Sequence, residues 1–488
     1  LLAVPACISG VSIRFAGKRV TTNELGKARL RMRAPGGKRR AKALTGDCGS
    51  ARAKVRPRAS CISPQMDVGF GEALLYSGAL LAAAAALSGL MRGTVLSIAV
   101  LSVAAGVALA LTGAIDVVPD DSTVVTLFTL ALIVTLFSDG LFVDRELRFL
   151  HWSPPVRALV IAMPLTLALL ALVAKLLFTE LSWAQAFLLG SVLSATDPVV
   201  TSAVVTSQRV PATVRHALNL ESGLNDGLAL PFVIFFIILA SPGGDAGQGG
   251  LELLGEAAFG AVIGIALGLG AGRLTRHLPG GGIVRRYEGI FALGVGLLAF
   301  GLADVTFGNG LIAAFVCGIA LGVADRAIAD DFPVFSENVS SILQVLTFFV
   351  FGALIVATGY GGSIPMLVAF IALALLVARP LAIAVSFLRV QMPRPHRAFI
   401  GWFGPKGVAS MLFAVLVLDS KVGEGELIFQ IAAFVILASI VAHGLSDTVG
   451  ARWIERRMRE LAAEEEEEAE ASAGPVTVSR KPLYSSSA

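Results

Sequence analysis

The sequence predicts an all-α polytopic membrane protein with about 13 transmembrane helices, two of them interrupted in a way that points to inverted repeats. Three observations carry this. The 488 residues are 55% hydrophobic and only 15% charged, where a soluble domain carries roughly 25% charge. Apolar runs of about 20 residues, enough to cross a bilayer, recur along the chain. These runs, Ala79 to Leu90 for example, are continuous and rich in Ala and Leu rather than alternating. Helices and closed barrels are the two structures that satisfy their own backbone in lipid, and the pattern selects helices.

Residues 1–65 stand apart. They hold about fifteen Lys and Arg against two acids, Glu24 and Asp47. Three readings are open: an Arg-rich, acid-poor transit peptide, a disordered basic tail, or sequence outside the working protein, with Met66 as the start. From Gly69 the expected spans run near 70–90, 94–114, 122–143, 157–178, 181–205, 214–240, 251–274, 287–304, 308–324, 340–358, 364–387, 399–419 and 426–447. The membrane domain is thus expected over 66–450, followed by a polar tail over 451–488.

The loops test this count, because Lys and Arg gather on the cytoplasmic side. Loops after odd-numbered spans carry Arg92, Arg145, Arg148, Arg209, Arg276, Arg285, Arg286, Arg326, Arg389, Arg394 and Arg397. Those after even-numbered spans carry Asp116, Asp120 and Asp121, with Lys421 the main exception. The C-terminus is therefore expected inside, in a plasma membrane, or in an organelle membrane if 1–65 is a transit peptide. The tail, with its run Glu464 to Glu468, is expected to be solvated and partly disordered. Cys7, Cys48, Cys61 and Cys317 show no metal-ligand or disulfide spacing. Nothing in the pattern calls for a cofactor or a nucleic acid; the expected surroundings are membrane lipid.

Ionisable groups in mid-span are costly and mark function. The fifth span holds Thr196–Asp197–Pro198. Proline removes a backbone donor and biases Asp197 away from helix, so a break is expected there, with freed carbonyls beside a carboxylate. The sixth span holds Glu221–Ser222–Gly223–Leu224–Asn225–Asp226. Helical spacing sets Glu221 and Asn225 on one face and Ser222 and Asp226 on the next. A carboxylate withdrawn from water can hold a proton or a dehydrated cation, but not both, and that competition is the minimum chemistry of an exchanger. The twelfth span holds Gly404–Pro405–Lys406–Gly407, a second expected interruption. Lys406 needs a partner in lipid, and Glu221 is the expected one. Asp139, late in the third span, is an accessory ligand or an interfacial acid. Arg379 braces the bundle or snorkels, and His443 is a packing or capping residue.

Ala195–Thr196–Asp197–Pro198 followed by Glu221 to Asp226, with Phe315–Val316–Cys317–Gly318 and Gly404–Pro405–Lys406–Gly407, resembles the monovalent cation:proton antiporters of the sodium/proton exchanger type, the bacterial NhaP-like branch. The resemblance implies the antiporter fold of thirteen helices, a homodimer, and a mobile core with two crossed, unwound helices. It implies that Asp226 is the main sodium- and proton-binding acid, helped by Asp197, Ser222 and the Thr196 carbonyl. Asn225 resembles the asparagine of the electroneutral branch. Asp139 falls where bacterial relatives usually carry glutamate, and Glu221 with Lys406 resembles the family's structural ion pair. The expected activity is sodium/proton exchange serving pH and sodium homeostasis. Potassium/proton exchange is the close alternative and a passive cation channel a more distant one. An intramembrane enzyme finds no histidine cluster, no Gly-x-Ser-x-Gly and no cofactor loop to support it.

Overall fold

In a computed structural model the chain falls into two units, Leu1–Asp67 and Val68–Ala488. The structure describes short strands within residues 2–54 and, beyond them, residues 70–91, 98–115, 117, 122–148, 153–197, 204, 207–242, 246–277, 285–420 and 422–473. Met66, Arg92, Asp116, Asp120, Asp121, Pro198, Lys421 and residues 474–488 lie outside these.

In the first unit, where a disordered or removable segment was one expectation, the described residues are strands. Ser12–Phe15 (β2) pairs antiparallel with Lys18–Thr21 (β3) and with Arg40–Ala43 (β5), and β5 pairs with Arg52–Lys54 (β6). Leu2–Ala3 (β1) pairs with Lys27–Ala28 (β4). The apolar/basic alternation of Ser12–Ile13–Arg14–Phe15 has the two-residue period of a strand.

Among its described residues the second unit has helices and the turns and unwound segments between them, and no strands. Its described helices of eight or more residues are Phe70–Met91 (α1), Ile98–Leu111 (α2), Ser122–Arg148 (α3), Met163–Leu177 (α4), Trp183–Val192 (α5), Ala212–Ala240 (α6), Ala246–His277 (α7), Arg285–Asp304 (α8), Gly310–Ala324 (α9), Arg326–Thr358 (α10), Ile364–Leu373 (α11), Arg379–Ser386 (α12), Arg394–Trp402 (α13), Val408–Asp419 (α14) and Gly425–Ala473 (α15). Short π-helical turns, Ala158–Ala162 and Ala374–Ala378, lead into α4 and α12. Eight described helical stretches are long and apolar enough to cross a membrane, and five shorter apolar helices accompany them.

Several elements differ from their expected bounds. The fifth helix ends at Val192, short of the expected 205, and the residues up to Asp197 are non-helical, where the break was expected. α10 starts fourteen residues ahead of the expected 340, directly after Asp325. α15 does not stop at the membrane but stays helical to Ala473, through the glutamate run. Ala, Glu, Leu and Arg are strong helix formers, and Arg459 meets Glu455 at 2.6 Å one turn away, which favours helix over the expected disorder.

Glycines let the helices close up. A side chain at Gly264 or Gly268 of α7 would collide with the backbone of α9, and one at Gly140 of α3 or Gly318 of α9 with the backbone of the other helix. Small residues at such crossings replace the hydrophobic drive that lipid does not supply. The main apolar core gathers α3, α5, α10, α14 and the first half of α15, and α14 is buried from Val408 to Val415. A helix apolar on all sides belongs in the centre of a bundle, and the Asp197 carboxylate lies at the N-terminal end of α14.

Candidate functional site

Two unwound segments meet in the core. The first follows α5, whose start is fixed by a capping box between Ser182 and Gln185 and whose end leaves Leu193 to Asp197 non-helical. The second, residues 403–407, separates α13 from α14. Pro405 supplies no N–H there. Gly404 lies flat against the guanidinium of Arg379, and Gly407 against the carboxylate of Asp197, with no room for a Cβ at either. The segments are stitched by backbone. The Asp197 N–H donates to Pro405 O at 2.9 Å, the Val408 N–H donates to Asp197 Oδ2 at 3.1 Å, and Ser410 Oγ donates to Ala195 O at 3.3 Å. Asp197 thereby caps α14 from another helix, with its charge at the positive end of the helix dipole.

α6 brings the other groups. Asn225 donates through Nδ2 to Thr196 Oγ1 and accepts from the Thr196 N–H at 3.4 Å. Thr196 Oγ1 stands 3.3 Å from Ser222 Oγ. Thr196, Asp197, Ser222, Asn225 and Asp226 are all buried. Asp226 is 3% exposed, and its Oδ1 has no hydrogen-bond partner among the described residues. Asp197, Asp139 and Lys406 are the charges that act on it. Asp139 packs against Gly223 of α6, 3.5 Å from where a Cβ would stand. Among the described residues no three acidic, histidine or cysteine side chains converge as a metal cage.

The expected pairing of Glu221 with Lys406 is not what the structure has. Glu221 pairs with Arg379, Nη1 to Oε1 at 2.7 Å and Nη2 to Oε2 at 3.1 Å. The planar guanidinium takes both carboxylate oxygens at once, and Nη2 also reaches the carbonyls of Ile400 and Phe403 at 3.4 and 3.3 Å. A point-like ammonium cannot make that set of bonds. Among the described residues Lys406 makes no ion pair; it is buried in the same charged neighbourhood, within reach of Arg379, Glu221 and Asp226.

With this geometry in view, the family model described as "Sodium/hydrogen exchanger, transmembrane" matches residues 77–449. The chain belongs to the sodium/hydrogen exchanger family. Among curated proteins it is similar to the K(+)/H(+) antiporter NhaP of Alkalimonas amylolytica, 25% identical over 67% of this chain and 57% of that one. It is likewise similar to the K(+)/H(+) antiporter NhaP2 of Shewanella sp. (strain ANA-3), 27% identical over 68% and 58%, and to the Na(+)/H(+) antiporter 2 of Zygosaccharomyces rouxii, 26% identical over 67% and 45%. The chain therefore spans about half the length of these relatives. Among solved structures, the sodium proton antiporter MjNhaP1 from Methanocaldococcus jannaschii aligns with a TM-score of 0.63 at 18% identity, covering 79% of this chain and 100% of that one. The fold is that of the antiporter.

Three parts of this exchanger-family site have partners that the sequence does not assign. Arg379, expected to brace the bundle or snorkel, has Glu221 as its partner; an arginine next to Pro380 inside an apolar run is the sign of one. Ser410 carries no signal, being one serine among many. Ser439 and His443 on α15 bond the second unwound segment; His443 was expected to pack or cap, but Ser439 was not singled out, and their spacing of one helical turn was the available sign.

Proposed function

We propose that the chain exchanges sodium for protons across a membrane, one for one, with Asp226 holding each in turn. The observation that carries this is the buried carboxylate oxygen of Asp226, left without a hydrogen bond beside the crossing of two unwound segments. A carboxylate so placed binds a proton or a dehydrated cation. Asp197, Thr196 and Ser222 lend oxygens to the cation, and Asn225 fixes Thr196. Swapping one proton for one sodium ion at one carboxylate leaves the charge of the site unchanged, so exchange is electroneutral. Asp139 serves as an accessory proton acceptor beside Gly223.

The arginine-rich alternate loops support a plasma-membrane protein with its C-terminus inside. A homodimer is the assembly that the resemblance implies. Potassium is the second cation to consider, because two of the similar proteins are named K(+)/H(+) antiporters. Activity of this kind makes the chain a secondary transporter rather than an enzyme.

The test uses everted vesicles acidified inside and loaded with a pH dye, for the parent chain and Asp226→Asn. Sodium-induced dequenching that disappears in the variant is the expected result. A response to potassium alone would move the substrate and keep the mechanism. No response to either cation in the parent would overturn the proposal.

A further inference from the structure

An α-helix running through residues 402–406 would bond the Lys406 N–H to the Trp402 carbonyl, four residues back. At the break these two groups part, and in a bilayer neither is left to water. Both are taken by α15. The Lys406 N–H donates to Ser439 Oγ at 3.0 Å, and His443 Nε2 donates to the Trp402 carbonyl at 2.9 Å. Ser439 Oγ and His443 Nδ1 stand 3.1 Å apart, so the two side chains form a continuous bridge between the separated groups. With Nε2 donating, Nδ1 is the acceptor for the Ser439 hydroxyl, which orients the ring.

The same face of α15 holds the neighbouring side chains. Trp402 Nε1 donates to Ser446 Oγ at 2.9 Å, and the Trp402 and His443 rings have centroids 5.1 Å apart. Gly450 makes room for the Phe403 ring. Residues 439, 443, 446 and 450 follow the spacing of a single helical face, and each of the four contacts the segment from Trp402 to Lys406.

We propose that Ser439 and His443 are positioning residues for the ion site: they substitute for one of the helical hydrogen bonds whose opening creates the second unwound segment, and so hold Pro405 where it receives Asp197. They touch neither Asp226 nor the cation. Their effect passes through the Pro405 carbonyl, which accepts the Asp197 N–H at 2.9 Å. Without the bridge, Lys406 N–H and Trp402 O are unpaired or rejoin, and the Asp197 latch loses its frame. The functional arm of this inference rests on the exchange reading above; the structural arm does not.

Two measurements on the purified full-length chain test it. In proteoliposomes, Ser439→Ala and His443→Leu raise the half-saturating sodium concentration about tenfold, the scale of one lost buried hydrogen bond, while turnover falls less. Ser439→Thr and His443→Gln, which keep a hydroxyl and a side-chain donor, restore most of the loss. Backbone hydrogen exchange over residues 402–408, measured on the same variants, speeds up in Ser439→Ala and His443→Leu alone. Unchanged sodium affinity in the alanine and leucine variants overturns the proposal, as does equal loss in the conservative pair, which would make the role one of packing. If the parent chain transports no cation, the exchange reading fails on its own, and unchanged protection of 402–408 in the variants then overturns the inference independently.

Discussion

Arg379 grips Glu221 through both terminal nitrogens, at 2.7 and 3.1 Å, and ties α12 to α6 inside the bundle. Removing one member of a buried pair leaves the other charge uncompensated, at a cost of about 3–5 kcal/mol. Arg379→Gln is therefore expected to lower the melting temperature in detergent sharply. Arg379→Lys recovers little, because it loses the bidentate grip and the bonds to Ile400 and Phe403. The Glu221→Gln/Arg379→Gln double variant recovers much of the loss. Lys406→Met, which removes a cation that makes no ion pair among the described residues, melts near the parent temperature. A Lys406→Met protein as unstable as Arg379→Gln would contradict this division of roles.

Asp197 serves two purposes that substitution can separate. As an acceptor for the Val408 N–H it caps α14, and as an anion it supports the cation. Asp197→Asn keeps an acceptor and is expected to fold with near-parental stability while sodium-driven proton release collapses. Asp197→Ala loses both, with about 1 kcal/mol or more of stability gone with the cap. Normal exchange by Asp197→Asn would show that the charge is dispensable.

Gly404 and Gly407 are pinned by what they touch, the Arg379 guanidinium and the Asp197 carboxylate. Alanine at either forces neighbours aside, for about 1–3 kcal/mol and a larger loss of exchange. Gly294 of α8 is the control: a Cβ there meets nothing within 4 Å, and alanine in a helix is favoured over glycine by about 1 kcal/mol. Thermal melts of the three alanine variants should place Gly294→Ala at or above the parent and the other two below it.

The helical extension of α15 is held by packing more than by charge. Ile454 is 0% exposed in a cluster with Val210, Val214, Phe399 and Phe403, whereas Glu455 meets Arg209 at 3.7 Å on the surface. Ile454→Ala is expected to cost about 2–5 kcal/mol, and Glu455→Ala less than about 1 kcal/mol. Limited proteolysis after the membrane segment should cut the first variant faster and leave the second at the parental rate.

The helical bundle and its two breaks were legible from run length and from proline and glycine beside acids. Composition could show which residues sit at bilayer depth. It could not show how each helix is rotated. Glu221 was matched to Lys406 because a lysine in lipid needs a partner; only the aim of Arg379 into the bundle shows that Glu221 pairs with it instead. The roles of Ser439 and His443 were hidden for the same reason, since a serine and a histidine in a late span look alike whether they face lipid, packing or the parted backbone of another helix. The length of α10 and of α15 was misjudged because apolar run length ends where the lipid does, and helices do not.

The π-helical turn Ala374–Ala378 sits immediately before Arg379. Such a turn accommodates one residue more than an α-helical turn over nearly the same rise, and one residue corresponds to about 100° of rotation. The bulge is thus an insertion absorbed in place: Arg379, Ala382, Ile383 and Ser386 remain on the buried side that Leu367, Phe370 and Ala374 define earlier in the same span. It follows that the chain can lose one residue from this stretch and revert to plain α-helix with Arg379 still aimed at Glu221. A deletion between Leu367 and Phe370, ahead of the bulge, would instead turn that earlier face out of phase with its neighbours.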